Sequence, residues 1–79
     1  MIDARRALNS VLAYGREFSD HLPFFDPRLE EIEEDDHGGW LVTLSTKDTP
    51  LNEDRTYRRF RVGETGEVKS MKRIALEVS

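Results

Sequence analysis

Cysteine is absent from the 79 residues. Disulfides and thiolate-bound metals are therefore excluded, and the composition suits a reducing compartment. Proline is scarce, at three residues, and no low-complexity tract or internal repeat is visible. No apolar run approaches the ~20 residues that cross a bilayer. The first six residues, Met-Ile-Asp-Ala-Arg-Arg, have no apolar stretch behind their arginines, so no secretory signal is expected. A cytoplasmic location and no membrane partner are the expectation. Positive charge is in deficit: 12 Lys and Arg stand against 16 Asp and Glu, a formal charge of −4. That balance favours solubility and argues against non-specific nucleic-acid binding.

What is present is enough for one small domain, residues 1–79. Hydrophobic residues make up 37%, and one Trp, two Tyr and four Phe supply aromatic area for a core despite a charged share of 35%. A domain of this length buries a modest fraction of its surface and is only marginally stable.

Residues 3–20 predict a helix. Asp3 can cap its N-terminus. Ala4, Leu8, Val11, Leu12, Gly15, Phe18 and Leu22 recur at helical spacing, and Ala7 and Tyr14 widen that stripe. Gly15 inside the stripe weakens a helix by ~1 kcal/mol relative to Ala. Either a sheet or an aromatic ring comes close to it, or it marks a kink. Pro23 is expected to end the helix. Phe24 and Phe25 then close one end of the core, and Pro27 keeps the connection extended.

Residues 28–36 fit either a second helix or an edge strand. The turn at His37-Gly38-Gly39 favours the strand, and a bulge would place Leu29 and Ile32 on one face. Residues 40–45 alternate Trp40, Val42 and Leu44 against Leu41, Thr43 and Ser45, the pattern of a half-buried strand. A polar loop over 46–54 follows. Residues 55–62 alternate again, with Arg58, Phe60 and Val62 opposite Tyr57, Arg59 and Arg61. Gly63 to Gly66 is a hairpin turn. A last strand spans 67–78, with a bulge near Lys69 and Ser70. The implied fold class is α+β: one N-terminal helix packed on a four-stranded antiparallel meander.

The stretches Trp40-Leu-Val-Thr-Leu-Ser, Tyr57-Arg-Arg-Phe-Arg-Val and Thr65-Gly-Glu-Val68 resemble the small PepSY-like and cystatin-like modules. The resemblance covers residues 40–72, under half of the chain. It implies a helix followed by an antiparallel meander, and a binding or inhibitory domain. Such modules are often attached to secreted or membrane proteins, whereas neither a signal nor a membrane segment is expected here. No residue role carries over.

Two charge clusters stand out. Glu30, Glu31, Glu33, Glu34, Asp35 and Asp36 form an acidic tract beside His37. It suits a basic partner or a solvated edge strand, whose charges discourage aggregation. It lacks the spacing of a calcium loop. Arg55, Arg58, Arg59, Arg61, Lys69, Lys72 and Arg73 form a basic set, with Tyr57 and Phe60 interleaved. It suits protein docking, cross-strand pairing with acidic residues, or single-stranded nucleic acid. No nucleophile, metal or cofactor motif is visible, and a lone small sheet leaves little room for the ~300 Å³ concavity of a ligand site. The chain is therefore expected to be a non-enzymatic protein-binding module without cofactor or metal, acting as inhibitor, adaptor or homodimer. The expected contact residues are Tyr57, Arg59, Arg61, Thr43, Glu31 and Glu33. The alternative is a nucleic-acid-binding accessory protein using strands 55–73.

Overall fold

The computed structural model describes residues 2–18, 20, 24–51 and 53–75. Within them the elements run α1 (Ala4–Glu17), β1 (Phe25–Glu34), β2 (Trp40–Lys47), β3 (Arg55–Val62) and β4 (Val68–Ile74). The strands form one antiparallel sheet in the order β1-β2-β3-β4. The α+β arrangement read from the sequence is the observed one, and residues 28–34 lie in a strand rather than a helix. That strand begins earlier, at Phe25, and leaves Asp35 and Asp36 to the turn.

Asp3 caps α1: its Oδ1 accepts from the Arg6 backbone N–H at 2.8 Å. The helix stops at Glu17, with Phe18 as its C-cap, short of the position-20 end that Pro23 implied. Pro23 and Leu22 lie outside the described residues. Ala7, Val11 and Gly15 are the buried centre of the helix, flanked by Leu8, Leu12 and Tyr14. The apolar stripe is thus centred on Ala7 rather than on its flank. Phe18, expected in the stripe, is 40% exposed. It stacks on Tyr14 one turn back, with ring centroids 4.7 Å apart.

Gly15 has its close neighbour. A Cβ at this position would fall on the Phe24 ring. The glycine therefore trades helix propensity for contact with an aromatic cap on the core. Phe24 packs there, but Phe25 does not, being 46% exposed at the start of β1. Both Phe side chains cannot point inward, because successive strand residues face opposite sides.

The two hairpins share one construction. The Asp35 N–H donates to the Gly39 carbonyl at 2.8 Å, and the Gly38 N–H to the Asp35 carbonyl at 3.0 Å. Gly63 and Glu67, and Gly66 and Gly63, repeat both bonds at the same lengths. Gly38 and Gly66 carry φ of 87° and 93°. A turn closed by a left-handed glycine is a common three-residue hairpin loop.

Both expected bulges are present. Leu29 pairs with Leu44 and Glu31 with Thr43, leaving Glu30 extra. Leu29 and Ile32 then both meet core-side residues of β2. In β4, Arg61 pairs with Ser70 and Val62 with Val68, so Lys69 is the extra residue. β2 runs through the buried Thr46 to Lys47, so the polar loop begins two residues later than the sequence suggested. β4 is described to Ile74, and the 76–78 part of the expected strand lies outside the described residues.

The core lies between α1 and one face of the sheet. It holds Ile2, Ala7, Val11, Val42, Leu44, Phe60 and Val62. Trp40 lies at its margin and donates its indole N–H to the Ile2 carbonyl at 2.9 Å. This bond ties the residues before α1 to the start of β2.

Candidate functional site

Ladder partners share a sheet face. The partners of Val42 and Leu44 face α1, and the alternate residues face away. No described element covers this second face. Two rows cross it: Glu31–Thr43–Arg59–Lys72, and Glu33–Leu41–Arg61–Ser70. A third row places Ser45 beside Tyr57 and Ile74. All six residues singled out from the sequence therefore lie on one face.

They are not equally accessible. Glu31, Glu33 and Arg61 are exposed, and Tyr57 and Arg59 half-buried. Thr43, expected to be an outward contact, is 1% exposed. Arg59 lies across it, with Nε donating to Thr43 Oγ1 at 3.3 Å. Thr43 is thus a support for Arg59. Ser45 is buried in the same way under Arg55, whose Nε donates to Ser45 Oγ at 2.8 Å and whose Nη2 donates to the Ser45 carbonyl at 2.9 Å. Long guanidinium stems cover the polar floor of the sheet.

The basic set divides between the two faces. Arg55, Arg59, Arg61 and Lys72 lie on the open side. Arg58 and Arg73 pair on the helix side, and Phe60 is fully buried there. Arg58 is 8% exposed and donates from Nη1 to Thr46 Oγ1 at 2.8 Å. Burial lowers its pKa, the nearby Asp48 acts against that shift, and Arg73 adds to it. Phe60 cannot stack a base, and Arg58 cannot track a phosphate, because period-two alternation sends both to the core side.

Two ion pairs organise the ends of the open face. At one end, Arg61 Nε meets Asp35 Oδ2 at 3.0 Å. Partial burial pushes the Asp35 carboxyl up. The Arg61 guanidinium, with help from the His37 backbone N–H, outweighs that and holds it below its usual range. At the other end, Arg55 Nη1 meets Asp26 Oδ2 at 3.1 Å, and Nη2 donates to the Asp26 carbonyl. This bond to Arg55 is the main cause of a lowered Asp26 pKa, with Arg28 adding to it. Asp26 has φ of 49°, a left-handed conformation that Asp tolerates better than most residues. The Arg55–Asp26 clamp holds the start of β1 onto β3 at a register shift.

The pH consequence has a definite sign. Both carboxyls are held below the ordinary Asp range in the folded protein. Their stabilisation is therefore complete only above about pH 5 and is lost as pH falls through the lowered values. Urea midpoints measured from pH 7 down to pH 2.5 should fall below about pH 5. Asp35→Asn should be less stable than the parent at pH 7, and the gap should narrow toward the acid end. An equal gap at both ends would contradict the assignment.

Between the rows lies a shallow depression of about 350 Å³, lined by Asp35, His37, Leu41, Arg59, Arg61, Ser70, Lys72 and Ile74. The face is thus more concave than a lone small sheet was expected to be. Leu41 and Ile74 supply its apolar lining, and Arg59, Arg61 and Lys72 set three cations against the Asp35 carboxylate. Lys72 and Ser70, the cross-strand partners of Arg59 and Arg61, were not assigned to the site from the sequence. Their place depends on the Lys69 bulge, which sets which β4 residues face outward. Among the described residues, no group of three His, Asp or Glu is placed to hold a metal ion. No described helix is long and apolar enough to cross a membrane. No family model, no curated protein and no solved structure matches this chain.

Proposed function

We propose that this chain is a small protein-binding module that docks through its open sheet face. The observation that supports this reading most is the direct opposition of Arg59 and Lys72 on neighbouring strands. Like charges opposite one another destabilise a sheet. Here they stand beside Arg61, with Leu41 and Ile74 as apolar lining. A partner carboxylate would relieve the repulsion, and the lining would take apolar contact. The carboxylates of Glu31 and Glu33 on β1, at the edge of the same face, add a second sign of charge, which sets orientation and rejects partners with the wrong pattern. The same carboxylates repel nucleic-acid phosphates, so protein docking is favoured over the nucleic-acid alternative. The resemblance to PepSY-like and cystatin-like modules points the same way, since those are mostly binding or inhibitory domains. The absence of cysteine suits a cytoplasmic setting.

Affinity purification from the source cell tests the reading. The parent chain should retain a protein partner, its own copy included, that Arg59→Glu with Arg61→Glu loses. Circular dichroism should show both chains folded. Unchanged retention by the folded double variant would remove the open face from the function.

A further inference from the structure

The charge layout of the open face is complementary to itself. Its acidic residues are on the edge strand β1, and Lys72 is on the opposite edge strand β4, in the same row as Glu31. Two copies can close such faces on one another with two kinds of two-fold axis. An axis perpendicular to the strands lays each strand on itself, acid on acid and base on base. An axis parallel to the strands, between β2 and β3, lays β1 on β4 and β2 on β3. Every residue then stays level with its own row.

We propose that the open face is closed by a second copy of this chain about the strand-parallel axis. This rests on the docking reading above and names its occupant. Glu31 of the second copy then lies over Lys72, and Glu33 of the second copy over Ser70. Both carboxylates enter above the depression of about 350 Å³ that Arg59, Arg61 and Lys72 line. The depression is lined by members of both rows, so the axis that keeps the rows level also seats both carboxylates above it. Facing sheets sit ~10 Å apart, a gap that a Glu and a Lys side chain span together. The axis also brings Lys47 over Arg55 of the second copy. That meeting falls where Asp26 already neutralises Arg55.

The edges offer less. β1 carries Pro27, a row of carboxylates and two register shifts, and β4 carries the Lys69 bulge. Such features blunt edge-to-edge pairing, which leaves the face. Four strands ~4.8 Å apart and seven residues of ~3.3 Å give a face on the order of 450 Å². Stable interfaces bury ~800 Å² per partner. The dimer is therefore weak and concentration-dependent, and sensitive to salt.

Sedimentation equilibrium over a range of concentrations, with circular dichroism to verify folding, tests the proposal. The parent should show a concentration-dependent dimer that added salt dissociates. Glu31→Lys and Lys72→Glu, both at exposed positions, should each weaken it at least about tenfold, because each reversal acts twice across the axis. An equal mixture of the two variants should restore association as a heterodimer, since every Lys at 31 then meets a Glu at 72. A parent that stays monomeric at all concentrations, or a mixture no better than either variant alone, overturns the second copy as occupant. If the parent is monomeric and yet the Arg59→Glu, Arg61→Glu chain loses a different partner, the docking reading stands and only the self-association falls.

Discussion

Phe60→Ala should remove a large fraction of this protein's stability. Phe60 is fully buried in β3, an inner strand of the sheet. Val42 and Met71 flank it on the neighbouring strands. The Tyr14 ring meets it edge-on, with centroids 6.1 Å apart and planes at 74°. Truncating a buried Phe to Ala removes ~3–5 kcal/mol, through lost burial and the cavity left behind. A domain of this length has roughly 4–12 kcal/mol in total. The core offers little reserve, since Phe60 is the largest of its fully buried side chains. With a urea slope of ~1 kcal/mol per molar, the midpoint should drop by about 3 M or the native baseline should vanish. Phe25→Ala is the control with the same chemistry, at a site 46% exposed. It should cost under ~1 kcal/mol, as surface substitutions do. Similar losses for the two variants would mean that the core has been misplaced.

The second large effect comes from a residue with no side chain. Gly39 is buried between the first hairpin and β2, and a Cβ there would fall on the Val62 carbonyl oxygen. That oxygen belongs to the backbone at the end of β3 and cannot rotate aside. Relief requires the end of β3 or the start of β2 to move. The Trp40–Val62 pairing, the Asp35–Gly39 hydrogen bond and the Trp40 bond to the Ile2 carbonyl all lie there. Overpacking typically destabilises by ~1–3 kcal/mol, and a backbone obstacle puts Gly39→Ala at or above the top of that range. Urea denaturation reads the loss. Weakened hydrogen-exchange protection at Trp40 and Val62 locates it. A neutral Gly39→Ala would show that the two strand ends have room to part.

Local rules carried most of the fold. The strand over residues 40–45, the strand over 55–62 and the cap at Asp3 follow from alternation and capping preference, which act over a few residues. The bulges at Glu30 and Lys69 were also legible. In each, the apolar spacing breaks period two, and one unpaired residue restores a single buried face. Gly15 was legible as a demand for space, though not as the Phe24 ring. The errors fell where two distant segments decide together. Phe25 and Phe24 look equivalent until the pairing of β1 selects which one enters the core. The helix ends at Glu17 with Phe18 as its C-cap, since a proline only marks where a helix can no longer continue.

The candidate site divides in the same way. That Tyr57, Arg59 and Arg61 share a face was determined by the sequence alone, through alternation within one strand. So was the separation of an acidic segment from a basic one. Tertiary structure decided the rest. It laid Arg59 over Thr43, turning an expected contact residue into a buried support. It removed Arg58 and Phe60 from the basic surface, and it set Lys72 against Arg59 to line the depression. It also brought Asp26 to Arg55 and Asp35 to Arg61, pairs 29 and 26 residues apart. The physical reason is that alternation specifies a residue's side of its own strand, whereas its neighbours across the sheet depend on register. Register depends here on the bulges at Glu30 and Lys69, on a further shift between Phe25 and Arg28, and on turns closed by a left-handed glycine.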